Sequence, residues 1–324
     1  MDLSVIVTAY DEGPLLRRAV ESVVGQVRRG NTPLPETEII LAFDRGASGA
    51  TRSTIEDIRR AFPRIDVLEN QQRRGPGGNR NTGISRAKGE WVAFLDGDDE
   101  WFPNAIEARW RALHTHGDVG FVAADFVCAP DLAHAPPGSA FTRDNDRLRR
   151  LMGHPRDPGP FSDGSPIRLR RPVAEFCQAS LCWTGTVMAR RDLVHRVGLF
   201  HERLRRGEDT HLWIRLAARS DLLFVPEPVA LYRSRPSTLE RRGASLWGWD
   251  IIATMDLLRR PEMRGWIRPL YHDRLVRMLN QQAAYLRAQR RFFSAAGYAA
   301  ASALCWPAQK RPWRNLAASI VRRP

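Results

Sequence analysis

Asp96, Asp98 and Asp99 stand together in the stretch Gly89–Pro103, GEWVAFLDGDDEWFP, with Gly97 between the first two. Carboxylates this dense repel one another, and a folded chain keeps them together where a cation offsets the charge. Hard oxygen ligands favour Mg²⁺ or Mn²⁺, ions that commonly bridge a protein to a diphosphate. Three plainer readings compete. An Asp/Gly cluster is often only a solvated turn. Asp96, Asp98, Glu100 and Glu107 fall at positions 1, 3, 5 and 12 of an EF-hand, yet Trp101 takes the sixth position, where the sharp turn needs Gly. A glycosidase pair needs two acids flanking a sugar and gives no reason for three side by side.

A second pair of acids opens the run Gly207-Glu208-Asp209-Thr210-His211-Leu212-Trp213. Glu208 and Asp209 sit at the start of an amphipathic helix, where acids commonly do no more than complement the helix dipole. A carboxylate there can equally act as general base towards a hydroxyl. His211 and Arg215 on the same helix read as packing or salt-bridge residues. The cluster Gly75-Pro76-Gly77-Gly78 invites a phosphate-loop reading, but it lacks GxxxxGK[ST]. The GxGxxG register fails too, because Arg80 stands where the third Gly belongs. What remains is a flexible lead into a helix carrying Arg80 and Asn81. A guanidinium there can hold a diphosphate or a nucleobase edge, whereas taken alone it is a surface arginine in an arginine-rich chain.

These residues need strands and helices to position them. Leu3–Ala9 and Glu38–Phe43 are apolar runs too short for helices, and they deliver Tyr10-Asp11-Glu12 and Asp44 at their ends. Trp91–Leu95 delivers the acid cluster in the same way. Helices are predicted after Pro14, near Ala50–Ala61, near Asn79–Ala87 and over Asn104–His116, with strands at Ile65–Leu68 and Val119–Cys128. Alternation of this kind signals a doubly wound α/β sheet with ligands at its carboxyl edge. Residues 129–171 are rich in Pro, Gly, Asp and Arg and read as a long loop or insertion, a frequent source of lids. Order returns at Phe176–Arg190, which includes Cys182-Trp183-Thr184-Gly185.

Composition bounds the partners. The net charge is +14 over 324 residues, but Arg259–Pro324 holds fourteen Arg/Lys against only Glu262 and Asp273. That tail carries +12 and the rest of the chain +2. Nearly all of the basic residues are arginine, since Lys88 and Lys310 are the only lysines. The sign asymmetry calls for a partner or a solvated face. Residues 236–290 show helical patterns with Trp247, Trp249 and Trp266. Phe292–Trp306 is then an uncharged apolar run, short for a membrane span but suited to an interfacial helix on anionic lipid or to a helix packed on the rest of the chain. No helix-turn-helix, finger or RNP pattern supports a nucleic-acid partner. Cys128, Cys177, Cys182 and Cys305 lack metal spacing and suit a reducing compartment. Met1-Asp2 leads straight into a strand, not a signal peptide, so a cytoplasmic protein, possible peripheral membrane contact included, is expected.

Four segments in order resemble the GT-A fold glycosyltransferases of the large inverting family 2. They are SVIVTAYDE at 4–12, the strand ending in Asp44, RNTGISRAKGEWVAFLDGDDEWFP at 80–103, and GEDTHLWIRLA at 207–217. The resemblance covers roughly the first 235 residues and closes on Ala230-Leu231-Tyr232-Arg233. It implies a Rossmann-like, doubly wound mixed sheet with helices on both faces over 1–235, followed by a basic helical C-terminal region over 236–324. It also implies roles. Thr8, Tyr10 and Asp44 would hold the nucleoside, Arg80 would lie near the nucleotide, and Asp96 and Asp98 would be the DxD ligands of ribose and of Mn²⁺ or Mg²⁺. Asp209 would be the catalytic base. Glu12, Asp99, Glu208 and Trp183 stand beside these as secondary candidates. The family often reads DDGS or NDGS after the second strand, where this chain has Asp44-Arg45-Gly46-Ala47. The implied reaction moves a sugar from a nucleoside-diphosphate donor to an acceptor hydroxyl. The acceptor stays open among glycan, lipid-linked sugar, small molecule and peptide. The other function class is a catalytically silent module of the same fold that binds a nucleotide sugar or a partner protein.

Overall fold

The computed structural model of the chain describes residues 1–26, 33–135, 138–142, 145, 148, 165–234, 246–265, 267–305 and 310–320. Its first strand, β1 (Leu3–Ala9), is buried along its whole length, as a central parallel strand must be. It pairs in parallel with β2 (Thr37–Phe43) and with β4 (Trp91–Asp96), and β2 pairs in parallel with β3 (Asp66–Glu69). Beyond β4 the direction changes. β8 (Met188–Arg190) runs antiparallel to both β4 and β6 (Phe121–Ala129), and β9 (Leu222–Arg233) runs parallel to β6. The short β5 (Glu100–Trp101) and β7 (Ile167–Leu169) pair antiparallel with β9. The order is β3-β2-β1-β4-β8-β6-β9-β5, with β7 on the side of β9.

Helices cover both faces, and strand alternation shows which covers which. Val5, Val7, Leu41, Phe43, Ala93 and Leu95 share one core with Leu16, Ala19 and Val20 of α1 (Leu15–Val24) and with Ile55 and Ile58 of α2 (Gly49–Ala61). On the other face Phe94 meets the Phe200 ring edge-on at 5.2 Å, and Trp213 of α7 (Glu208–Ala217) lies 6.0 Å from Phe94. Fully burying a ring such as Phe94 contributes roughly 1.5–3 kcal/mol, which helps dock α7 on this face of the sheet. The fold is therefore a mixed α/β sheet with helices on both faces, the architecture that the resemblance to GT-A enzymes implies.

α3 (Pro76–Arg86) starts three residues before the sequence pattern suggests, and the glycines explain why. Gly75 has φ 124°, a conformation L side chains rarely adopt, and Pro76 follows at the first helical turn. A Cβ on Gly78 would lie 1.9 Å from the carbonyl oxygen of Arg73. The cluster serves a close backbone approach. Helices α4 (Ala105–His116), α5 (Val173–Gln178) and α6 (Arg191–Arg196) complete the first unit.

The segment 129–171, expected as a loop, contains a short 3₁₀ turn at Leu132–His134 and the strand β7; residues 149–164 lie outside the described residues.

The chain divides into two compact units, Met1–Arg235 and Pro236–Pro324. The second is helical: α8 (Leu246–Arg259), α9 (Ile267–Ala288), α10 (Phe292–Cys305) and α11 (Lys310–Ile320). Ile251, Leu275, Met278 and Leu279 form its core. Asn280 of α9 donates to Ser302 Oγ of α10 at 2.8 Å and accepts from Asn315 of α11 at 2.9 Å. α10 buries its small face, Ala295, Ala299, Ser302 and Ala303, while Phe293 and Leu304 are 86% and 80% exposed. The helix is thus packed within its own unit through small residues, with two of its large apolar side chains left outside. Among the described residues no helix is long and apolar enough to cross a membrane. Trp266, Trp306 and the side chain of Trp247 lie outside the described residues.

Candidate active site

Register brings the carboxyl ends of three parallel strands level. Thr8 lies opposite Asp96, Ala9 lies opposite Phe43, and the Asp44 amide donates to the Ala9 carbonyl at 2.9 Å. Thr8, Tyr10, Asp44 and Asp96 therefore share one edge of the sheet, where ligands bind in open α/β folds. The Thr8 hydroxyl donates to Asp96 Oδ1 at 3.0 Å. From Asp96 the chain turns tightly: the Gly97 amide donates to the Thr8 carbonyl, and the Asp99 amide to the Asp96 carbonyl. β5 then ties the far end of this acid loop to β9. The Trp101 indole donates to the Gly185 carbonyl at 2.6 Å.

Charge is crowded here. Asp99 is buried, and its carboxyl is held well above the usual carboxylate range by burial first, then by Asp98 and Asp96. The Arg233 amide donates to it at 3.0 Å. The Trp183 indole N–H lies near Asp99 and pulls its pKa down, but no hydrogen bond of ordinary geometry forms. Glu12 accepts from the Tyr10 amide at 2.5 Å; burial, reinforced by Asp98, pushes its carboxyl up to about 7 against that bond. Asp98 itself is half-buried.

Asp44 has the opposite environment. Burial would raise it, but the Gly46 and Gly75 amides and the Arg74 guanidinium outweigh that and hold it below its ordinary value. The Arg74 guanidinium occupies the space over Gly46, next to the Tyr10 ring.

Arg80, which alone reads as a surface residue, is 4% exposed. Its Nη2 donates to Asp96 Oδ1 at 2.7 Å and its Nη1 to Glu208 Oε1 at 2.6 Å, while the guanidinium lies 5.3 Å from the Phe200 ring centroid. Burial pulls its pKa down, but Asp96, Glu208 and Asp209 more than offset this and keep it charged. The two acid motifs thus share one cation. Glu208 is also buried, and burial pushes it up to about 7 despite Arg80. Asp209 is half-buried; it accepts from Thr184 Oγ1 at 3.0 Å and from the Thr210 amide at 2.6 Å. Arg215 on the same helix is a packing residue: it is fully buried and caps the Val197 and Leu199 carbonyls.

Three supporting residues escape sequence reasoning. Arg233, at the end of β9, holds Asp99 through its amide and Glu100 through its guanidinium. Glu202 accepts from Asn81 at 3.1 Å, and Asn81 also donates to the Phe200 carbonyl at 3.0 Å, which seats α3 against the turn before α7. Asp125, fully buried on β6, accepts from both the amide and the hydroxyl of Thr142. Only Arg233 carries a sequence signal, its place in the closing Ala230-Leu231-Tyr232-Arg233.

Residues 4–197 match the family described as Glycosyl transferase family 2, and the chain belongs to this family of glycosyltransferases. The succinoglycan biosynthesis protein ExoO of Rhizobium meliloti is 35% identical over 286 residues, which cover 85% of this chain and 73% of that protein. Two other curated relatives match over 32% and 35% of their own lengths. Among solved structures, S. aureus TarS 1–349 in complex with UDP-GlcNAc superposes with a TM-score of 0.65 at 15% identity, over 98% of this chain and 90% of that one. The mannosyltransferase PcManGT of Pyrobaculum calidifontis, in complex with GDP-Man and Mn²⁺, gives 0.56 at 18% identity, over 99% and 85%. Both likenesses speak to the fold.

Among the described residues, no group of three or more His, Cys, Asp or Glu side chains forms a cation cage. A cation here would have to complete its shell with a ligand, as Mg²⁺ and Mn²⁺ do when they bridge one or two carboxylates to phosphates. The oxygen-only donor set of Asp96 and Asp98, beside Glu12 and Asp99, whose carboxyls burial and the Asp98 charge push upward, fits such an ion.

Proposed function

We propose that the chain transfers a sugar from a nucleoside-diphosphate donor to an acceptor hydroxyl in one inverting, divalent-metal-dependent displacement. The observation that carries this is the Asp96–Arg80–Glu208 bridge, because it joins the acid loop of β4 and the start of α7 into one site. Thr8, Tyr10 and Asp44, at the sheet edge, hold the nucleoside. Asp96 and Asp98 would hold Mn²⁺ or Mg²⁺, which when bound would neutralise the leaving diphosphate in place of a general acid.

Asp209 takes the acceptor's proton. Glu208 is the weaker candidate, since it is buried and locked onto Arg80, whereas Asp209 is half-buried and held only by a hydroxyl and an amide. A double displacement would need a nucleophile of the chain's own. Cys182, beside Asp209, does not serve, because burial and that neighbouring charge push its thiol well above its ordinary value. The relatives' names and ligands agree with this reading: succinoglycan biosynthesis, UDP-GlcNAc, and GDP-Man with Mn²⁺.

Metal use is tested at Asp98, which lies on a loop and can be removed without opening the core. Asp98→Ala should abolish turnover and remove the Mn²⁺-dependence of nucleotide binding measured by calorimetry, with the unfolding midpoint little changed. Full activity of that variant in EDTA would show that no metal acts there.

A further inference from the structure

Four aromatic rings from separate stretches of chain meet beside the two acid motifs. Trp183 and Tyr232 touch, with ring centroids 4.0 Å apart, and Phe126 lies 5.9 Å from Trp183 and edge-on to Tyr232 at 6.2 Å. Phe141 stacks on Phe126 at 4.5 Å and an interplanar angle of 21°. Trp183 directly precedes Thr184, whose hydroxyl holds Asp209. Tyr232 directly precedes Arg233, whose amide holds Asp99. The wall is therefore tethered at both ends to carboxylates of the site.

Core packing accounts for Phe126, which is 4% exposed, but not for Phe141, which is 37% exposed. Phe141 is held in place from both sides: the fully buried carboxylate of Asp125 accepts from the amide and the hydroxyl of Thr142, and the Phe141 amide donates to the Phe126 carbonyl at 2.9 Å. A buried carboxylate is stable where it is hydrogen-bonded, and these bonds fix the turn that presents the exposed ring. Trp183 and Tyr232 are half-buried, and Trp183 Nε1 is buried with no hydrogen-bond partner among the described residues. The cluster combines aromatic rings with the Trp183 indole N–H beside Asp99 and, one residue on, Thr184 on Asp209. Binding pockets for small polar-rimmed molecules have this make-up.

We propose that the Trp183–Tyr232–Phe126–Phe141 wall is the acceptor subsite and that the acceptor is a saccharide. A pyranose ring presents an apolar C–H face that matches an aromatic plane, while its equatorial hydroxyls radiate to the rim. Stacked on Trp183, it turns one hydroxyl towards Asp209. A peptide or an alkyl chain has no such division between face and rim. The inference rests on the proposed transfer only in taking Asp209 to mark the acceptor side.

Saturation-transfer NMR with cellobiose, maltose and N,N′-diacetylchitobiose as probes tests it without needing turnover. At least one disaccharide should take up saturation at its ring C–H protons. Its Kd should rise about tenfold or more in Phe141→Ala and in Trp183→Ala, and less in Trp183→Phe, which keeps a ring. Phe141 is exposed enough that its removal should leave the fold intact, as a thermal melt would show. Absence of saturation for all three probes, or a Kd changed by less than about twofold in Phe141→Ala, overturns the assignment. Hydrolysis of a nucleotide sugar by the wild-type protein reports the transfer reading separately. If it is absent while saccharide binding is lost on mutation, the transfer reading fails and the wall stands as a saccharide-binding site without an acceptor role.

Discussion

Asp209→Asn should lower turnover by about 10²–10⁴-fold while leaving donor affinity nearly unchanged. The substitution is nearly isosteric. Its one oxygen can still accept from the Thr210 amide, and its NH2 can donate to Thr184 Oγ1 where Asp209 accepts from it, so the start of α7 should hold its geometry. What it removes is the ability to take a proton from the acceptor hydroxyl. In the proposed assignment nucleotide is held at the other end of the site, by Thr8, Tyr10, Asp44 and the acid loop, so its binding should not notice the change. Single-turnover kinetics with saturating donor measure this directly. Turnover within about threefold of wild type would make Asp209 only a helix-start residue, and another acid would have to be the base.

The second large effect is structural. Arg80→Met should destabilise the protein by about 3–5 kcal/mol, because it strands the buried Glu208 carboxylate, and the half-buried Asp96 beside it, that one cation had served. Met matches the bulk of the side chain, so the loss reports the charge more than a cavity. The pH dependence of that loss distinguishes it from simple repacking. Burial already holds Glu208 at about 7 even with Arg80 beside it. Without the arginine its folded-state value rises further above the unfolded one, so the folded state binds more protons than the unfolded state. Stability then falls as pH rises. The penalty should be smaller near pH 5 and larger near pH 8 in urea unfolding. A penalty that is flat with pH would mean that Glu208 is not the partner whose charge matters.

The parts of this site that lie at strand ends were legible in the sequence. Leu3–Ala9, Glu38–Phe43 and Trp91–Leu95 are apolar because the strands are buried on both faces, and each run ends where its polar residues emerge. Thr8, Asp44 and Asp96 could thus be placed on one edge before any coordinates. Pairings across long stretches of chain were not legible, because no local pattern encodes them. Arg80 and Glu208 are 128 residues apart, and Arg233 and Asp99 are 134 apart. Arg80 looked exposed because arginine is so common in this chain, yet it is among the buried charged residues. β7 left no signal either, since its three residues have no buried member. The Gly75–Gly78 cluster invited a ligand reading, while its cause is contact of α3 with the Arg73 backbone.

The central claim is that this site turns over a nucleotide sugar with the help of a metal. Purified protein incubated with a panel of UDP-, GDP- and dTDP-sugars and Mn²⁺ should release nucleoside diphosphate from at least one donor, slowly to water and faster once an acceptor is present. EDTA should stop the release, and the sugar freed from an α-linked donor should appear first as its β-anomer by NMR. Failure to consume any donor, under conditions where the protein is folded and binds nucleotide, would instead make it a silent binding module.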